Sequence, residues 1–470
     1  MNKTILNCYR CFLCSWLVGL SVLLHASELN AQNQRQEISL TREQARIASE
    51  TAIKAGNPDL AIQIGNGLLL ADSTDPQAYF VLAAAHLQRG DLRSGRRAAR
   101  QAYQFADTSI QKFDAAQLAA RIAFADNHYT TTQFWMRRAV QHAPTQEIED
   151  QIAQEFKQVR SINPWSLNVG VSIRPSDNVN NGADTGLNTI DGVPITGILS
   201  PEARALSGII GIAGLNLGYR LRRTNRSQTS LAGRLFVKRV RLSDEARSEV
   251  TRVSDGDFNS TYAETSITHD IAIGENGFGS GSVALGRFWS GGDPSYDFAR
   301  LSLSRGWTFG EQTRFSLNGL IEDRSRIDPA SEDAQIYGLG AKFTHDRTNG
   351  DSLSIALTFR DVNSINVNDD FATTSLQFAY SFNKPVGPAH IGTSVTLGYL
   401  DYSQYNVGFI EVPGGRQDNS VQADVTLSFR NIDYAGFIPT MRIKAGKSLS
   451  NVSRFDTREV SISFGVQSKF

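Results

Sequence analysis

Past residue 14 the 470-residue sequence has no cysteine: its three are Cys8, Cys11 and Cys14. Once an amino-terminal segment is removed, neither a disulfide nor a thiolate metal site remains possible. Charge of one sign is missing too, with 47 Lys and Arg against 47 Asp and Glu. That balance gives no electrostatic case for a nucleic-acid partner. Long apolar runs are nearly absent. The longest, Phe12 to Leu24, is too short for a membrane helix, which needs about 20 residues. Mean hydropathy is −0.27, a value usual for soluble proteins. It leaves a membrane barrel open, because barrel strands are half polar.

What is present begins with a secretory pattern. Lys3 and Arg10 precede the apolar run, and Ala26 or Ala31 offers a small residue for cleavage. Residues 1–26 read as a signal peptide and 27–37 as a linker. Removal of 1–26 leaves 45 basic against 47 acidic groups, a net charge of −2. No Leu-x-Gly/Ala pattern precedes the cysteines, so lipidation is not expected.

Residues 38–160 are rich in Ala, Gln and Arg, with apolar residues at helical spacing. Thr41 with Gln44 has the spacing of a capping box. Asn57-Pro58 and Asp75-Pro76 each place an N-cap before a first-turn proline. The breaks Gly56-Asn57, Gly90-Asp91 and Asp126-Asn127 recur 34 and then 36 residues apart, the period of tetratricopeptide-like helix pairs. Three helix pairs and a last helix ending before Asn163-Pro164 are expected, in the periplasm. Such repeats stack into a concave surface that usually holds a peptide or protein. Tyr79 and His86 fit packing positions better than cargo contacts, the two roles open to them. Arg89, Arg93, Arg96, Arg97 and Arg100 share one helical face, either solvated or a dock for an acidic partner.

From Trp165 the texture changes to Ser/Thr/Gly-rich alternation. Trp165-Leu167-Val169-Val171-Ile173 and Val460-Ile462-Phe464-Val466 alternate with polar neighbours, so each strand has one apolar and one polar face. Fourteen segments are predicted: 165–174, 207–221, 228–240, 258–270, 279–290, 296–308, 313–325, 333–346, 351–363, 370–382, 389–402, 418–430, 438–449 and 457–470. Connections after even segments are short, whereas those after odd ones include 175–206, 241–257 and 403–417. This fits an outer-membrane barrel over residues 161–470 with short periplasmic turns and long outer loops. Hydrocarbon cannot satisfy an unpaired strand edge, so the first and last strands should pair. Trp165, Trp307, Phe382 and Phe470 fit one interfacial girdle; Trp289, Tyr296, Tyr402 and Tyr405 fit the other. Arg174, Glu322, Arg360, Asp424, Arg430 and Lys469 are candidates for the lumen. Their mixed sign gives no sign of a dedicated ion filter.

No catalytic constellation stands out, and no enzyme activity or cofactor is expected. His269-Asp270 and His345-Asp346 look like ligand pairs but fall where strands run into turns. Asp177, Asp184 and Asp191 lack the dense spacing of a calcium loop. Neither a phosphate-binding glycine loop nor a GxSxG elbow occurs.

Two local patterns add a resemblance. Pro175-Ser176-Asp177-Asn178-Val179-Asn180 stands just after the first segment. Tyr434-Ala435-Gly436-Phe437-Ile438-Pro439 precedes Ser450-Asn451 and the terminal Phe470. With the helices-then-barrel order, these make the chain resemble the surface lipoprotein assembly modifiers (Slam), also called type XI secretion translocators. The resemblance implies delivery of a cargo protein to the cell surface, either a surface lipoprotein or a secreted haem- or metal-capturing protein. Implied partners are that cargo, outer-membrane lipids and the barrel assembly machinery, for which Phe470 would be the signal. Asn178 and Asn180 are then cargo or gating candidates, although Asn is also ordinary loop-turn chemistry. Two other classes stay open: a polysaccharide-export porin, which also joins periplasmic repeats to a barrel, and a passive porin, which leaves the repeats without a task.

Overall fold

The computed structural model describes residues 39–329, 332–432 and 437–468, and of 195–197 the backbone alone. The expected signal peptide and linker, the lumen candidate Lys469, and Gly436 and Phe470 lie outside these.

Seven helices form first: α1 (Arg42–Lys54), α2 (Pro58–Ala71), α3 (Pro76–Arg89), α4 (Leu92–Phe105), α5 (Ser109–Ala125), α6 (Tyr129–Val140) and α7 (Gln146–Ile162). Their starts follow from the caps read in the sequence. Thr41 and Gln44 close a capping box, and Asn57 and Asp75 accept amides of the first turn ahead of Pro58 and Pro76. The three breaks separate α1 from α2, α3 from α4 and α5 from α6. Gly90 (φ +80°) and Asn127 (φ +55°) take left-handed backbone there. The core is built mostly of alanine. Ala61, Ala78, Ala83, Ala99, Ala116 and Ala123 are each fully buried, which lets helix axes approach closely. A Cβ on Gly65 would meet Leu82 at 2.9 Å.

Fourteen antiparallel strands then close into one barrel. They are β1 (Trp165–Ser176), β2 (Gly208–Arg223), β3 (Ser227–Leu242), β4 (Ser260–Ala272), β5 (Gly277–Ser290), β6 (Asp293–Phe309), β7 (Thr313–Arg326), β8 (Ala334–Asp346), β9 (Ser352–Ser364), β10 (Phe371–Ser381), β11 (His390–Tyr402), β12 (Arg416–Ser428), β13 (Phe437–Ser450) and β14 (Thr457–Ser468). β1 pairs with both β2 and β14, so no edge is left for solvent or lipid to satisfy. Leu167, Val171, Val283, Leu303, Leu339 and Phe464 are exposed on the outer surface. Polar neighbours point inward. An apolar band outside and a polar lumen inside are what a bilayer requires. Among the described residues no helix is long and apolar enough to cross a membrane.

The two ends of the barrel differ. One end carries the helices and turns of eight residues or fewer; the other carries the long loops after β1, β3 and β11, whereas its connections after β7, β9 and β13 are short and that after β5 is a tight hairpin. There Gly291 (φ +63°) and Gly292 (φ +101°) make a two-residue turn that glycine accommodates without strain. Three expectations change. β1 runs on through Pro175 and Ser176, so the first motif begins inside the strand. Arg430, expected in the lumen, lies in the turn after β12, since that strand stops at Ser428. Tyr296 and Tyr402 do not join a lipid-facing girdle, because they share the inward parity of their strands. Tyr405 packs in a loop core instead. The helix-end girdle is present: Trp165 packs on Tyr219 at 4.6 Å, and Trp307 stacks on Phe315 at 5.8 Å.

Helices and barrel are joined by little more than Asn163-Pro164. Asn163 is buried and bonded to Thr130 and Gln133. Arg220 of β2 donates to the Ser161 (2.8 Å) and Asn163 carbonyls, and Arg223 to that of Ser161 at 2.9 Å. Arg137 of α6 donates to Ser468 at 3.3 Å and lies 5.6 Å from the Phe437 ring. The last helices are thereby fixed over both sides of the closing seam.

Candidate functional site

The long loop after β1, residues 177–207, folds onto the inner wall rather than away from it. Val179 and Leu206 pack with Ile210, Val240 and Leu242, all buried, and with Ala246 of the next long loop. Asn180 holds this fold together. Its side-chain amide donates to the Glu202 (3.0 Å) and Arg204 (2.7 Å) carbonyls, and its oxygen accepts from Leu206 at 3.0 Å. Asn178, also buried, exchanges two 2.8 Å bonds with Gly182. Gly182 has room for no side chain, since a Cβ would strike the Arg204 carbonyl. In the neighbouring loop the Leu242 amide donates to Asp255 and holds its carboxyl below the usual range, helped by Arg247.

The second motif meets the loop that the first motif opens, more than 250 residues away in sequence. Asn451 bonds the Gln417 amide at 2.9 Å and the Gly415 carbonyl at 2.9 Å, while its own carbonyl accepts from Asp191 at 2.8 Å. Ser450 accepts the Val452 amide at 3.1 Å. The Ser453 hydroxyl ties to Thr189 and Leu187, and Asp184 bonds the Arg458 amide. Ile190, Val412 and Val452 form a small buried core between the three loops. Arg416, paired with Asp418, lies against the Tyr402, Tyr405 and Phe455 rings. The loops after β1, β11 and β13 are thus one knitted mouth.

Beneath it the lumen wall carries paired charges. Arg300 reaches Glu264 at 2.9 Å and Glu322 at 2.6 Å, and Glu322 accepts Arg324 at 2.7 Å. Arg300 lies 4.9 Å from the Phe298 ring and Arg324 4.7 Å from Tyr296. On the other side Glu459 bridges Arg174 and Lys444, and Asp424 accepts Arg442. Glu322 and Asp424 therefore point into the lumen as the alternation predicts. Arg360, in register with Gly338, shares that parity.

The remaining candidates lie elsewhere. Tyr79 stacks on Phe105 at 5.6 Å and donates to the Ser73 carbonyl at 3.1 Å. His86 sits 3.5 Å from Asp91; burial pushes its imidazole below the usual value. Of the arginine face, Arg89 and Arg96 pair with Asp59 and Asp126. Asp177 lines a crevice beside the seam, and Pro439 is in register with Val466 inside β13. His269 and His345 each meet a cross-strand threonine, Thr229 and Thr313, at 2.9 Å. A groove of about 770 Å³ runs between α5, α6 and α7, lined by Phe113, Phe124, Met136 and Ile148 among others. Arg416 and the inward cluster at Ile210 escaped the sequence reading. The doublet Ile209-Ile210 breaks alternation and was the available signal for a loop resting on the inner wall.

No protein-family model matches the sequence, and neither does any curated protein. Solved structures that align with the barrel include the outer membrane channel DcaP of Acinetobacter baumannii, at 10% identity and a TM-score of 0.37, over 65% of this chain and 97% of that one. OprB of Pseudomonas putida aligns at 11% identity and a TM-score of 0.36, over 67% and 96%. A bacterial polysaccharide outer membrane secretin aligns at 7% and 0.33, over 65% and 98%. Such scores carry no argument about transport; the barrel assignment rests on the closed strand order and its two faces.

Proposed function

We propose that this outer-membrane barrel delivers a partner protein, a surface lipoprotein or a secreted haem- or metal-capturing protein, from periplasm to cell surface. In this reading it is a Slam-like translocator. The helices, as tetratricopeptide-like repeats, hang in the periplasm at the short-turn end and receive cargo; the knitted mouth faces outward. The observation that carries the reading is that one long loop, braced internally by Asn178 and Asn180, is also held at Asp191 by the Asn451 carbonyl. The groove between α5 and α7 and the fixed seating of α6 over the seam add support, since cargo held there is already aligned with the barrel. No nucleotide site is needed, because folding of cargo outside can supply direction.

The test compares the full chain with a variant lacking residues 39–160, both assembled in a Gram-negative outer membrane. A translocator loses surface display of its cargo on deletion, read by protease shaving. Unchanged display sinks the proposal. A second reading, a polysaccharide-export porin, draws on the arginine–aromatic pairs Arg300/Phe298 and Arg324/Tyr296, which suit sugar rings and anionic groups. It predicts polymer export that fails when Arg300 and Arg324 are replaced, with no protein cargo.

A further inference from the structure

Among the described residues the closing seam has the shortest ladder in the barrel. β1 and β14 are in register at four positions, Gly170↔Gln467 to Ile173↔Phe464, whereas other neighbours pair at ten to fifteen. Toward the loop end Pro175 has no N–H to offer, and side chains take over: Arg174 reaches across to Glu459 and Ser461. The wall is indented there by a crevice of about 790 Å³. Pro175, Ile209, Val460 and Ile462 line it on the lipid-facing parity, with Leu242 from the inner cluster, and Asp177 and Asp244 stand beyond the strand ends.

Charge on the lipid-facing rim is segregated around this crevice. Arg239 and Arg241 of β3 flank one side, Lys447 of β13 and Arg458 of β14 the other, all four exposed. Each lies within three residues of its strand's loop end, and Arg241 lines the crevice itself. Among the described residues none of the four forms an ion pair. The far side of the same rim carries Asp323, Asp361 and Asp401, with Asp297 paired to Arg287 at 2.6 Å. A merely solvated rim has no reason to sort its signs.

We propose that this crevice binds a phosphorylated glycolipid of the outer leaflet, with an acyl chain in the groove and phosphate on the flanking cations. The cations choose the source, because the lipid anchor of a cargo lipoprotein carries acyl chains but no phosphate. The inference rests on the loop end facing outward. Binding is read on purified protein, so it stands or falls separately from cargo delivery.

The full chain in non-ionic detergent is mixed with bisphosphorylated lipid A or its dephosphorylated form, and retained lipid is read by native mass spectrometry. The phosphorylated lipid is expected to bind preferentially. Arg241→Gln with Arg458→Gln should weaken it about tenfold or more, and Asp323→Asn with Asp361→Asn should leave it unchanged. Arg239→Gln with Lys447→Gln is the second pair, should the first not assemble. Equal retention of both lipids overturns the proposal, as does equal loss in the acidic-rim control.

Discussion

The helices and the barrel solve opposite problems with one alphabet. In the helical region alanine is the interior, and large side chains such as Leu70 (91% exposed) can sit in water singly without consequence. In the barrel the large apolar side chains are the exterior, and the interior is Ser, Thr, Arg and Glu. Close packing therefore governs the first region and the surrounding solvent governs the second. The two should fail under different substitutions.

An arginine tests this most severely. Leu339→Arg, in mid-β8 on the outward face, should cost roughly 2–4 kcal/mol if that face lies in hydrocarbon, whereas Leu70→Arg on α2 should stay within about 0.5 kcal/mol. The readout is the fraction of chain recovered from membranes as a heat-modifiable barrel. Normal assembly of Leu339→Arg would break the comparison, because it would put the outward face in water.

A methylene test runs the other way. Ala99 is fully buried between helices, and Ala99→Leu should destabilise the helical region by about 1–3 kcal/mol through overpacking. Ala341→Leu, on the lipid side of β8, meets fluid acyl chains and should be tolerated. Circular dichroism melts of the full chain separate the two, since the helical signal should fall early only in the first variant.

The loop mouth sits between these extremes, being bonded rather than packed. Asn180→Ala strips partners from the Glu202 and Arg204 carbonyls and the Leu206 amide, at roughly 1–3 kcal/mol of local stability. Limited proteolysis should cut residues 181–205 faster while the barrel keeps its mobility. Unchanged cleavage would mean that the loop does not depend on this residue.

Legibility in the sequence follows the same division. Strand order, count and closure were readable, because alternation and turn chemistry are local and hydrocarbon forbids an open edge. Helix starts were readable from Thr41, Asn57 and Asp75. The mouth was only partly so. Asn178, Asn180, Ser450 and Asn451 stood out as short motifs, but nothing local says that Asn451 bonds Gln417 or that Asp184 meets Arg458. The aromatic assignments failed for Tyr296 and Tyr402 because position along a strand was read and parity was not. The charge sorting on the outer rim needed the register of neighbouring strands, which no single segment contains.

The smallest expected effect is a pH dependence confined to the helices. Burial pushes both His86 and His142 below the usual histidine value; His142 lies between the Tyr103 hydroxyl and Ser109, each at 3.2 Å. A folded value below the unfolded one of about 6.5 means that the unfolded chain takes up protons first. The stabilisation is therefore present above about pH 6.5 and is lost as pH falls through the depressed folded values. Both rings remain partly in water, so the shift in helical melting between pH 7.5 and pH 5 should be only a few degrees. His142→Gln should flatten part of that slope, with the barrel's heat-modifiability unchanged across the range. A slope that survives replacement of both histidines would place the proton uptake elsewhere; Asp114 is not a candidate, because burial raises its carboxyl and gives a slope of the opposite sign.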